Sequence, residues 1–88
     1  MSTAYLNGEY LPLSEAKISP LDRGFLFGDG IYEVIPYYAG QSVGLIPHIQ
    51  RMLNGLAEIE INCDKTLEQW TVLLDDLIAQ NDGANQNL

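Results

Sequence analysis

Positive charge is what this chain has least of. Four lysines and arginines stand against twelve aspartates and glutamates, a formal net charge of −8 over 88 residues. That imbalance repels a phosphate backbone, so nucleic acid is not an expected partner. One histidine and one cysteine, His48 and Cys63, supply neither a metal-ligand cluster nor an internal disulfide. The lone thiol fits a reducing compartment, and Cys63 is expected to be a small buried or loop residue. No apolar run approaches the ~20 residues that cross a bilayer. The opening MSTAYLNGEY has no basic stretch leading into an apolar one, so no signal peptide is expected. A nucleophile elbow of the G-x-S-x-G type is absent, and Gly28-Asp29-Gly30 lacks the third glycine of a dinucleotide fingerprint. With 47% hydrophobic residues, the composition fits an acidic, soluble, cytoplasmic globular domain. Its length allows one small domain of marginal independent stability.

The local signals describe an α+β chain of short antiparallel strands packed with two helices. Asn7-Gly8 between Ala4-Tyr5-Leu6 and Glu9-Tyr10-Leu11 reads as a two-residue hairpin turn, since both central positions of that turn need positive φ. Residues 14–17 read as a short polar connection. Ile31 to Tyr38, IYEVIPYY, reads as one strand that is bulged or at an edge at Pro36, because proline has no N–H for a ladder. After a turn at Ala39-Gly40-Gln41, residues 42–45 can pair back onto it.

Pro47 then suits the first position of a helix, whose packing stripe is Ile46, Ile49, Leu53, Leu56 and Glu60. Thr66 with Gln69 forms a capping box, and Leu67, Trp70, Leu74 and Leu77 make a second amphipathic helix. The closing NDGANQNL is polar, with nothing to bury, and a further strand is expected beyond it.

Two places could carry chemistry. On the first helix His48, Arg51 and Gly55 share a stripe, with Arg51 away from the apolar side. Such a stripe could hold an anion or simply be a solvated face. Only Arg23 and Arg51 are arginines, so a phosphate site has little choice. The second place is the run ISPLDRGFLFGDGIYEV, residues 18–34, with three glycines in the seven residues 24–30. Glycine there suits a tight connection or a close backbone approach to a ligand. Tyr32, just past Gly30, could hydrogen-bond a substrate carboxylate or a cofactor, or be a half-buried strand aromatic. Strand alternation turns Glu33 to the opposite face, where it reads as a solvated or salt-bridged group without a catalytic role.

The segments LNGEYLP, ISPLDRGFLFGDGIYEV and HIQRM followed by an apolar helix resemble the N-terminal small domain of fold-type IV pyridoxal-phosphate enzymes, the class IV aminotransferases. The match runs from about Tyr5 to about Ile78 and looks most like the D-amino acid aminotransferase branch. Branched-chain aminotransferases and aminodeoxychorismate lyases share a looser version. The resemblance implies that the cofactor is pyridoxal 5′-phosphate and that Arg51 binds its phosphate. It further implies that Tyr32 lines the substrate pocket, and that the substrates are a D-amino acid such as D-alanine and a 2-oxo acid. It also implies self-association into a homo-oligomer.

In the family a lysine of a second domain forms the Schiff base with the cofactor aldehyde. Neither Lys17 nor Lys65 matches that position. Residues 1–88 therefore read as an incomplete small domain, inactive alone, with the catalytic C-terminal domain outside the chain. The competing reading is a non-catalytic short homologue serving as an interaction or dimerisation module.

Overall fold

A computed structural model describes residues 2–88. Strands β1 (Thr3–Leu6) and β2 (Glu9–Pro12) form the expected hairpin, pairing antiparallel from Thr3↔Pro12 to Leu6↔Glu9. Asn7 at φ 50° and Gly8 at φ 90° supply the two positive dihedrals its turn requires. Across the pair, the Tyr5 and Tyr10 rings meet edge to face at 5.0 Å. A single 3-10 turn, Leu13–Glu15, follows.

The glycine-rich run holds a helix that the turn signals concealed. Helix α1 (Arg23–Phe27) is five residues long. Asp22 accepts the Gly24 N–H at its start, and Gly28 closes it in the left-handed conformation at φ 71°. All of residues 21–30 are exposed. Arg23 is occupied locally, pairing with Asp29 at 2.6 Å and lying over the Phe27 ring.

The expected strand 31–38 is regular only over β3 (Pro36–Tyr38). Pro36 is neither bulged nor at an edge, since β3 is the centre of a three-stranded antiparallel sheet ordered β4-β3-β5. As first residue of the strand its missing N–H breaks no ladder, while its carbonyl accepts the Val43 N–H at 2.8 Å. Strand β4 (Gln41–Ser42) folds back through Ala39 and Gly40, both at positive φ. Strand β5 (Gln86–Asn87) belongs to the tail read as having nothing to bury. That tail is held through polar groups instead. Ile35 and Leu88 exchange both backbone hydrogen bonds, Gly40 donates to Ala84, and Ala39 donates to the Asn85 side chain.

Helix α2 (Leu45–Glu58) begins two residues before Pro47, with Gly44 at φ 68° in front of it. Proline is tolerated there because the first turn has no intrahelical use for its N–H. Of its expected stripe, Ile49 is buried at 1% exposure, Ile46 lies largely open, and Glu60 falls past the helix end at φ 59°. Helix α3 (Leu67–Ala79) carries the capping box of Thr66 and Gln69 as expected. Its buried residue is Leu73, not Leu74, because α3 packs against both α2 and the hairpin. The Tyr10 hydroxyl donates to the Leu73 carbonyl, and Asn81 exchanges hydrogen bonds with Thr3.

Among the described residues the buried hydrophobic ones are Ile35, Tyr37, Ile49 and Leu73, a small core drawn from the start of the three-stranded sheet and from the packed pair α2 and α3. The α+β architecture of short antiparallel strands and two main helices matches the expectation. Among the described residues no helix is long and apolar enough to cross a membrane.

Candidate functional site

The stretch from Gly30 to Ile35 links α1 to β3 and lies across α2. Although not hydrogen-bonded as a strand, it keeps a strand's two-residue alternation. Ile31, Glu33 and Ile35 turn inward, whereas Tyr32 is 87% exposed and Val34 is also open. The inward set meets the very stripe of α2 that periodicity groups together. Ile31 packs where a Cβ at Gly55 would stand 3.4 Å from its Cγ2. One turn and two turns earlier on the helix, Arg51 and His48 both reach Glu33.

Glu33 is the centre of this cluster, with its side chain only 11% exposed. Its Oε1 accepts from His48 Nδ1 at 2.6 Å and from Arg51 Nη2 at 2.6 Å, and its Oε2 accepts from Arg51 Nε at 2.8 Å. Two parallel bonds from one edge of a guanidinium give the strongest carboxylate pairing available to a protein. Those bonds from Arg51, then that from His48, hold the Glu33 carboxyl at about 2 against an ordinary 4.5. Glu33 in turn pushes Arg51 up. An ionised Glu33 has no proton to give, so the proton in the His48 contact sits on Nδ1, leaving Nε2 for other partners.

Arg51, expected to bind phosphate, thus has one edge engaged by Glu33. Its outer edge, Nη1 with the second hydrogen of Nη2, has no partner among the described residues, and its side chain is 71% exposed. A shallow depression lined by Pro47, His48 and Arg51 adjoins it. Tyr32, expected to line the substrate pocket, projects from the outer side of the same stretch, close enough for its phenol to contribute to the upward push on Arg51. The two residues therefore share a neighbourhood, with no hydrogen bond between them among the described residues. Glu33, read from the sequence as a solvated or salt-bridged group, is salt-bridged, to both Arg51 and His48. The signal for the pairing was its place between Ile31 and Ile35 on an inward register, where a carboxylate must find a partner.

Among the described residues no group of three or more His, Cys, Asp or Glu could hold a metal ion. Lys65 pairs with Asp64 at 3.5 Å and lies over the Trp70 ring, away from this cluster in both contacts.

The arrangement is an α+β domain in which a carboxylate holds one edge of an arginine whose side chain is otherwise exposed. Comparison with known proteins gives this a family context. The chain is 35% identical over 85 residues to the D-alanine aminotransferase of Staphylococcus haemolyticus, covering 97% of this chain and 30% of the relative. It is 40% identical over 81 residues to the D-alanine aminotransferase of Staphylococcus aureus strain N315, covering 92% and 29%. With the aminodeoxychorismate lyase of Bacillus subtilis strain 168 it shares 35% over 78 residues, covering 89% and 27%. No protein-family model matches. The resemblance to aminotransferases, and to the D-amino acid branch in particular, is borne out by these homologues. The chain spans about 30% of the length of the curated relatives it matches.

Proposed function

We propose that residues 1–88 are the N-terminal small-domain portion of a pyridoxal-phosphate-dependent aminotransferase that moves an amino group between a D-amino acid such as D-alanine and a 2-oxo acid. The observation that carries this reading is identity of 35–40% over nearly the whole chain to D-alanine aminotransferases. The site chemistry supports it. Arg51 would hold the cofactor phosphate through its outer edge, two N–H groups that match two phosphate oxygens. Tyr32, exposed beside it, would hydrogen-bond the substrate carboxylate.

When bound, the cofactor supplies the electron sink on which amino-group transfer depends. The chain's own residues bind and orient; the lysine that links the cofactor would come from elsewhere, and the 88-residue chain alone would show no turnover. A cytoplasmic homo-oligomer remains the working assembly of this reading, consistent with the single cysteine.

The test is to read the source frame past the codon for Leu88 and assay the whole product. Pyruvate formed from D-alanine in the presence of a 2-oxo acid is the expected result. Turnover of aminodeoxychorismate without transamination would replace the reading with the lyase activity named for the Bacillus subtilis relative. Transamination by the purified 88-residue chain, lost in Arg51→Ala, would overturn the claim that this portion is inactive alone.

A further inference from the structure

We propose that Glu33 is a positioning residue of the anion site: by filling the inner edge of Arg51 and the Nδ1 side of His48, it presents the outer edge of Arg51 as the bidentate donor to a phosphate monoester. This rests on the reading of Arg51 as a phosphate ligand and deepens it.

A guanidinium has two edges able to make paired hydrogen bonds, one from Nε with Nη2 and one from Nη1 with Nη2. Glu33 takes the first through both of its oxygens, at 2.8 and 2.6 Å. An incoming phosphate is therefore left the second, which points away from the carboxylate. Glu33 is itself fixed from both sides. Two residues before it, Ile31 is seated against Gly55; two residues after it, Ile35 is buried at 4% exposure and exchanges two backbone hydrogen bonds with Leu88. His48 Nδ1 anchors the same Oε1 that Arg51 Nη2 uses. A carboxylate so held is a rigid support for a long, exposed side chain that would otherwise lose rotamer freedom on meeting a ligand.

Two physical effects of Glu33 oppose each other. Its negative charge weakens the pull of Arg51 on any anion, while its geometry pre-orders the fork. The paired bonds and the support on either side decide for the second. Removing Glu33 should weaken phosphate binding, where a purely electrostatic role would strengthen it.

The experiment uses the 88-residue chain and pyridoxine 5′-phosphate, which has no aldehyde to react with lysines, with pyridoxine as the control lacking phosphate. The chain has only two arginines, so its arginine Nε–H spectrum contains two signals. In the wild type, ligand should shift the Arg51 terminal Nη signals and leave its Nε–H nearly where it was, still on Glu33. A large Nε–H shift would mean that phosphate displaces Glu33, and would overturn the proposal without any variant. Glu33→Gln should weaken pyridoxine 5′-phosphate by about tenfold, the lower end of what loss of a supporting hydrogen-bond partner costs at metal sites, and leave pyridoxine unaffected. Unchanged or tighter binding in Glu33→Gln, alongside lost binding in Arg51→Ala, would overturn the positioning role and leave the phosphate reading standing. No binding by a wild type whose Arg51 Nε–H signal shows the Glu33 pair formed, or undiminished binding in Arg51→Ala, would overturn both.

Discussion

Glu33 and Arg51 meet edge to edge, carboxylate oxygens to Nη2 and Nε at 2.6 and 2.8 Å, across an 18-residue separation in sequence. The pair ties the glycine-rich run to α2, so the stretch that carries Tyr32 is fastened to the helix that carries the arginine. Positioning and stability are thus joined in one contact.

The first prediction concerns acid. The Glu33 carboxyl lies at about 2 in the folded chain against an ordinary 4.5. A carboxylate whose pKa falls on folding contributes stability that is fully present above the unfolded value and is lost as pH falls through the folded one. Wild-type stability should therefore decline between pH 4.5 and pH 2. Glu33→Gln should be less stable at neutral pH and show a shallower decline over that window. Because Arg51 is largely exposed, salt should shrink the difference. Urea unfolding of both chains at stepped pH measures it, and parallel curves would remove Glu33 from the acid response.

Gly55 gives a second prediction. A Cβ there would stand 3.4 Å from Ile31 Cγ2, so a methyl group asks Ile31 to give slightly. Gly55→Ala should be close to neutral, since relief of the glycine penalty in a helix, about 1 kcal/mol, offsets that shift. Gly55→Leu should lift residues 31–33 from α2 and break the Glu33–Arg51 pair. The Arg51 Nε–H signal moving to its free position would report this, and a signal that stays put would show that Ile31 can rearrange.

The core provides a third. Ile49, in the second turn of α2, is 1% exposed. Ile49→Ala should cost about 2–5 kcal/mol, enough to unfold much of a chain this small. Val72→Ala, at an exposed position of α3, should stay within about 0.5 kcal/mol. Denaturant midpoints of the two variants separate core from surface directly.

Legibility followed how local each signal was. The Asn7-Gly8 hairpin and the Thr66–Gln69 box are set by neighbouring residues, and both stand as read. The strand 31–38 was overextended because ladder formation needs partners. Strands β4 and β5 offer two residues each, so only Pro36–Tyr38 is paired as strand although the alternation begins at Ile31. Helix α1 has its cap residues, Asp22 and Gly28, but five residues carry no periodicity to read. Strand β5 has no apolar pattern at all, since amides and backbone hold it. At the site, the stripe of His48, Arg51 and Gly55 was visible from spacing alone. What lay over it was not, because that depends on a loop 18 residues earlier choosing α2 as its bed.

Asn81, the first residue of the tail read as having nothing to bury, supports the last prediction. It sits just past α3, yet its Oδ1 accepts the Thr3 N–H at 2.8 Å and its Nδ2 donates to the carbonyls of Thr3 and Leu77 at 3.0 and 2.9 Å. The amide thereby serves β1 as a one-residue strand neighbour and closes the end of α3 in the same step. Asn81→Leu leaves a backbone donor and two carbonyls without these partners, at a cost of about 1–3 kcal/mol. Asn81→Asp keeps the acceptor for Thr3 but loses the donor, so it should fall between Leu and the wild type. Hydrogen exchange gives a local readout: the Thr3 amide should lose protection in Asn81→Leu and retain part of it in Asn81→Asp. Equal protection in all three chains would show that the hairpin is held by Tyr10 on the Leu73 carbonyl and not by Asn81.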